Sequence, residues 1–282
     1  FMASDGTNGQ ELWKSDGTEA GTVMVKNIYA GSNGSSPQNL INVNGVLFFV
    51  ANNGVNGYEL WKSDGTEAGT VMVKDIHVGN TGGSAQNITN LNGVIYFLAN
   101  DGIHGSELWK SDGTEAGTVM VKDIWSGIAS SDISSLTVMD DVLVFTANDG
   151  INGQEVWRSN GTTSGTHLVQ DIVIPGGSFP VEYTLVGTQI FASISDEMHG
   201  RELWVAEKSI VLPLNLLEFY GQLVDNNSVL TWKTSGEFNT ASFDIERSID
   251  GRSYVVVGNV AANNTSGIHL YNYTDNDVTS LG

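Results

Sequence analysis

The 282-residue sequence contains no cysteine. Disulfides, thiolate zinc sites and cysteine nucleophiles are excluded together, and the compartment is left open. Proline is scarce, four residues against 34 glycines, a balance that favours short strands joined by tight turns over helices. Positive charge is scarce too: 12 Lys plus Arg face 32 Asp plus Glu, for a formal net charge of −20. Such a surface repels phosphate backbones and anionic lipid, so nucleic-acid and membrane-surface partners are disfavoured. No apolar run approaches the ~20 residues of a spanning helix, and no transmembrane segment is expected. No signal peptide opens the chain. Phe1 enters partway through a pattern that recurs downstream, which reads as the start of a fragment. G-x-x-x-x-G-K-[ST], G-x-S-x-G and strand–helix G-x-G-x-x-G motifs are all missing. The five histidines form no H-E-x-x-H or close pair, which leaves zinc without support.

What the sequence does hold is repetition. "ELWKSDGTEAGTVMVK" occupies Glu11–Lys26, Glu59–Lys74 and Glu107–Lys122 without a changed letter. Trp13, Trp61, Trp109, Trp157 and Trp204 follow one another at 48, 48, 48 and 47 residues. A glycine stands four residues before each, and Glu11, Glu59, Glu107, Glu155 and Glu202 stand two before. Asp16, Asp64 and Asp112 open Asp-Gly-Thr three residues after; Asn160 replaces the acid in the fourth copy, and the fifth, "ELWVAEKS", has lost the turn.

Each period offers four strand-like runs. "VLFFVAN" and "VIYFLAN" are apolar on both faces, as a strand covered on both sides would be. Asn44-Gly45 and Asn92-Gly93 join them to the preceding run as hairpin turns requiring positive φ at both residues. Asp-Gly-Thr is a further turn in which Asp accepts local N–H bonds. Four antiparallel strands per 48 residues is the arithmetic of a β-propeller blade, with the tryptophan filling the wedge between neighbours. The expected fold is therefore all-β: a partial propeller of about four and a half blades over 1–208 and a linker at 209–213. A sandwich cut short at its end follows over 214–282, its core anchored by Trp232.

These residues carry a resemblance. The three intact copies look like the ELWxxDGTxxGT-repeat, hyalin-like proteins of Bacteroidota, over about residues 1–207. "LTWKTSGEFNTASFDIERS" with the following Asp-Gly resembles the fibronectin-III-like module that precedes type IX secretion sorting domains in the same phylum. The resemblance implies export by the type IX secretion machinery, an extracellular or outer-membrane-surface location, and a sorting domain beyond Gly282.

Candidate chemistry is thin. Five equivalent glutamates argue for a structural role in bonding turn or neighbouring-strand N–H groups rather than for catalysis, and no catalytic residue is assigned. Calcium is the one cofactor left open, at Asp101, Asp112 and Asp149, although the acids lie on different turns without a D-x-D-x-D-G run. His104 and His199 share a slot with Asn8, Asn56 and Asn152, read as a turn position with positive φ. Sixteen residues after each tryptophan stand Tyr29, His77, Trp125 and Val173, variable where their surroundings are not. The three aromatic or imidazole residues are candidate ligand-binding groups on an exposed rim; drift at a covered loop edge is the alternative. The expected function is a secreted or cell-surface binding, adhesion or scaffold module for glycan or an extracellular protein, with a polysaccharide-acting propeller glycosidase or lyase, its catalytic residues largely outside this fragment, as the alternative.

Overall fold

The structure, a computed structural model, describes residues 1–174, 176–196, 198–207, 215–235, 237, 240, 242–249, 254–263, 265, 267–276 and 278. Two compact units divide the chain, Phe1–Val205 and Ala206–Gly282. The 209–213 linker lies outside the described residues.

The first unit is a series of five antiparallel sheets. Blade 1 holds β1 (Met2–Ser4), β2 (Gln10–Lys14) and β3 (Val23–Lys26). Blade 2 is β4 (Gln38–Val43), β5 (Val46–Asn52), β6 (Tyr58–Ser63) and β7 (Val71–Lys74). Blade 3 repeats it as β8 (Gln86–Leu91), β9 (Val94–Asn100), β10 (Ser106–Ser111) and β11 (Val119–Lys122). Blade 4 is β12 (Ser134–Met139), β13 (Val142–Asn148), β14 (Gln154–Ser159) and β15 (His167–Gln170). Blade 5 holds β16 (Val181–Val186), β17 (Gln189–Asp196) and β18 (Gly200–Glu207). Strands neighbour in chain order within every blade, and the first strands β4, β8, β12 and β16 touch in succession from blade to blade. That is the radial meander of a partial β-propeller.

Period-2 alternation explains the stacking. Along β5, Leu47, Phe49 and Ala51 face back to Leu12, Val25 and Ile28 of blade 1, joined by Trp61. Phe48 and Val50 face forward and meet Ile95, Phe97, Ala99 and Trp109 of blade 3. The same division recurs between blades 3 and 4 and between blades 4 and 5. Phe49, Phe97 and Phe145 are 0% exposed, and Trp61, Trp109 and Trp157 no more than 6%. A blade alone would leave both faces wet, so each core belongs to a pair of neighbours. The Asn-Gly turns adopt the required geometry, with φ of +54° at Asn44 and +85° at Gly45. A bulge in the first strand was not legible: Gln38 pairs Val50 but Ile41 pairs Phe48, and Asn39 takes φ +54° between them.

In the second unit, β19 (Asn215–Val224), β20 (Asn227–Ser235) and β23 (Ile268–Asp275) form one sheet, and β21 (Ser242–Arg247) and β22 (Val255–Ala261) the other. Trp232, 2% exposed, stacks on Tyr271 at 5.4 Å and meets Phe243 edge-on at 5.7 Å, uniting the two sheets as a small sandwich. Glu237 is buried beside them and accepts the Tyr271 hydroxyl at 2.6 Å.

Candidate functional site

Four of the five recurrent glutamates point inward, whereas Glu202 in blade 5 is exposed. Glu11, Glu59, Glu107 and Glu155 are fully buried near the start of the third strand position of their blades. Glu11 accepts the N–H groups of Ile28 and Tyr29, each at 3.0 Å, and of Ser35 at 3.1 Å. Glu107 accepts Ile124 at 3.0 Å and Ser131 at 3.1 Å, and Glu155 accepts Ser178 at 2.9 Å. Each carboxylate thus pins the connection that leaves its own blade for the next. Glu59 is the exception: Gly83 stands where the other copies carry Ser35, Ser131 and Ser178, and Oε2 has no bonded partner. Burial pushes Glu59 and Glu107 up to about 7. Four such groups in four separate junctions cannot meet on one substrate.

The Asp-Gly-Thr turns are closed on themselves. Asp64 Oδ1 accepts the Thr66 N–H at 2.8 Å and its hydroxyl at 2.7 Å, and Asp16 and Asp112 repeat the pattern. What the turn offers outward is carbonyl oxygen, and the preceding blade takes it. Lys14, Lys62 and Lys110 donate to Gly65, Gly113 and Gly161 carbonyls at 2.8, 2.8 and 2.7 Å. Lys26, Lys74 and Lys122 donate to Thr70, Thr118 and Thr166 carbonyls at 2.7, 2.8 and 2.7 Å. Two lysines from each of blades 1 to 3 thereby staple it to the turn of the blade ahead. The sequence held a signal for this: the fourth copy replaces both lysines, by Arg158 and Gln170, where the fifth has no such turn to grip.

Among the described residues, no group of three or more His, Asp or Glu comes together to hold a metal. The calcium candidates Asp101, Asp112 and Asp149 sit on separate loops, each occupied locally. Asp101 accepts the Ile103 and His104 N–H groups at 2.9 Å, and Asp149 accepts those of Ile151 and Asn152 at 2.9 and 2.8 Å. The Asn/His slot needs correction. Neither Asn56 nor His104 has positive φ; the slot selects a side chain that bonds an acid. Asn56 Nδ2 donates to Asp75 at 2.7 Å, and His104 Nδ1 lies 2.7 Å from Asp101 Oδ2, a bond that raises the imidazole pKa.

Tyr29, His77 and Trp125 are partly buried. Each ring lies against the bare Cα of a glycine in the following blade: a methyl at Gly54, Gly102 or Gly150 would come within 2.6, 2.7 or 2.5 Å of it. The free-standing aromatic rim expected at these residues is therefore not what the structure holds; they are blade-to-blade packing groups with one side covered.

Another slot does face solvent. Antiparallel order puts the β5/β6 and β7/β8 connections at one end of a blade and the Asn-Gly and Asp-Gly-Thr turns at the other. At the connection end, the loop residue six before each tryptophan is Val55, Ile103, Ile151 and Met198 in blades 2 to 5, exposed by 69, 67, 86 and 85%. The next connections add Val78, Ile128 and Ile174 at 83, 82 and 76%. Sequence reasoning passed over these positions because an apolar letter in a Gly/Asn loop reads as incidental.

No family model matches the chain, and no curated protein matches it. Solved structures similar to it include a prolyl endopeptidase at 12% identity and TM-score 0.43, the match covering 83% of this chain and 37% of that one. A puromycin hydrolase is similar at 7% identity and TM-score 0.42, covering 77% and 35%. The polysaccharide lyase Uly1 is similar at 12% identity and TM-score 0.28, covering 71% and 55%. The chain thus spans 37% and 35% of the first two proteins, and likenesses this distant carry no argument about chemistry.

Proposed function

We propose that this chain is a non-catalytic binding module of the ELWxxDGT-repeat, hyalin-like kind, exported to the cell surface or medium, that engages an extracellular protein or a glycan. The observation that carries this reading is a division of labour between residues. The recurrent Glu, Trp, Lys and Asp-Gly-Thr letters are consumed between blades, whereas the connection end presents one solvent-facing side chain per blade in register. A set of like contacts repeated along an array suits avidity, since each weak contact raises the effective concentration of the next. Fibronectin-III-like architecture and type IX export for the second unit belong to the same proposal and rest on the sequence resemblance.

A second reading is a polysaccharide-acting enzyme, in keeping with the name of the lyase among the solved neighbours. The buried, dispersed carboxylates speak against a catalytic pair within these blades. Screening the chain against glycan and extracellular-protein arrays, with polysaccharide turnover measured in parallel, separates the two. Retention of a ligand without product is the expected result; release of new sugar ends from any polysaccharide would overturn the binding reading.

A further inference from the structure

We propose that the connection end of the blades docks a basic protein surface bearing apolar recesses, with Val55, Ile103, Ile151 and Met198 as its equivalent anchors. This deepens the binding-module reading and rests on it. Three observations converge.

The first is repetition of an exposed aliphatic group. Nothing in the fold asks for one here, since these side chains are at least 67% exposed. Yet four of five copies carry Val, Ile or Met, with Thr7 in the first. Isolated exposed apolar residues are ordinary; the same slot filled in consecutive blades is a surface.

The second is preorganisation. The N–H of each anchor is held by the acid or amide two residues before it: Val55 by Asn53, Ile103 by Asp101, Ile151 by Asp149 and Met198 by Asp196, all at 2.9 Å. A loop already fixed loses little conformational freedom when a partner covers it.

The third is charge, and it selects the partner. Among the described residues of the blades, the six lysines are bound to turn carbonyls of a neighbouring blade at the opposite end. The anchors instead stand among Asp101, Asp149 and Asp196, with Asp75, Asp123 and Asp171 on the adjoining connections. Loop hydrogen bonds hold Asp196 below its ordinary pKa and, against the upward push of burial, Asp101 and Asp149 too, so the charges persist at neutral pH. Among the described residues, the basic groups at this end are engaged as well: Arg201 by the Phe179 and Ser193 carbonyls, and His104 and His199 by Asp101 and Asp196 at 2.7 and 2.9 Å. That leaves Asp149, Asp75, Asp123 and Asp171 as the described acids without a cationic partner there. An acidic rim repels nucleic acid, anionic lipid and anionic glycan. Neutral sugars call for open aromatic platforms, and Tyr29, His77 and Trp125 are partly covered. Aliphatic anchors in an acidic field match a cationic, apolar protein face.

The test uses the full chain and three helical peptides of equal length: amphipathic Leu/Lys, Lys/Ser and Leu/Glu. Titration calorimetry is run at low and physiological salt. The Leu/Lys peptide is expected to bind, more weakly as salt rises. Combining Val55→Ser, Ile103→Ser, Ile151→Ser and Met198→Ser should weaken it by about a hundredfold or more, each single change by about three- to tenfold, with the melting midpoint unmoved. Equal binding of the Lys/Ser peptide, equal binding by the quadruple variant, or no binding of Leu/Lys would each overturn the proposal. A glycan hit without peptide binding would leave the binding module standing and remove this surface. Polysaccharide turnover with peptide binding intact would do the reverse.

Discussion

The junction between blades 2 and 3 and the junction between blades 4 and 5 solve one packing problem in two ways. At the first, Lys62 and Lys74 reach across to Gly113 and Thr118 carbonyls, and Val50 packs with Phe97 and Trp109 in an apolar cluster, apart from the buried Glu59 at the connection. At the second, Arg158 and Gln170 replace the lysines, and the acceptor turn is missing from the fifth copy. The polar link moves inside: Thr146, at the position of Val50 and Leu98, donates to the Pro180 carbonyl and lies 2.8 Å from the Tyr183 hydroxyl, fully buried. Apolar burial is therefore common to every junction, whereas the polar connection is replaceable provided donor and acceptor change together. A carbonyl left without its lysine would lose its donor, and a lysine left without its carbonyl would lose its acceptor.

The largest test of that comparison removes the shared part. Trp109→Ala empties a site between two blades and is expected to cost about 3–5 kcal/mol, read as a lowered urea midpoint. Trp13→Ala, the same letter of the repeat but partly exposed, should cost less than half as much. Equal losses would mean that the tryptophan acts within its blade rather than between blades.

Acidity comes next. With folded pKa values near 7 against an ordinary 4.5, Glu59 and Glu107 bind a proton more tightly in the folded state. Their contribution is complete below pH 4.5 and is lost as pH rises through 7, by about 1–3 kcal/mol each. Stability measured from pH 4.5 to 8 should fall accordingly, and Glu59→Gln with Glu107→Gln should flatten the decline. A profile that rises over that window would contradict the burial argument.

The staples are smaller. Lys74→Met leaves the Thr118 carbonyl short of a donor and should cost about 1–2 kcal/mol, while Gln170→Met at the unstapled junction should change stability by under about 0.5 kcal/mol. Equal effects at the two positions would erase the distinction between the junctions. Smallest of all, the four anchor substitutions at the connection end should leave the midpoint within about 0.5 kcal/mol, because no junction uses those side chains.

The blade was legible because its determinants are local letters: Asn-Gly needs positive φ, "VLFFVAN" needs two covered faces, and a 48-residue period needs a repeated unit. The staples were not, because the partner of Lys14 or Lys74 is a main-chain oxygen 51 or 44 residues away, and a carbonyl has no letter. The aromatic slot misled for a related reason. Its partner is the absence of a side chain at Gly54, Gly102 and Gly150, so variability that looked like an exposed rim was tolerance in a packed contact. The fourth copy hints at the coupling: Val173 replaces the aromatic where Glu197 replaces the glycine. His104 was read as a turn position with positive φ when its side chain bonds Asp101. The anchors escaped notice because reading apolar residues as core leaves no place for apolar residues kept on the outside.

The lysine bonds all run forward along the chain, from a blade to its successor, and the donors and acceptors of consecutive copies are the same. Excising or inserting one whole period would therefore join surfaces that already fit, creating no interface of a new kind. Unequal recombination within the identical 16-letter stretches can add or remove blades in single steps, so the number of loops presented at the connection end changes while the parts stay unchanged.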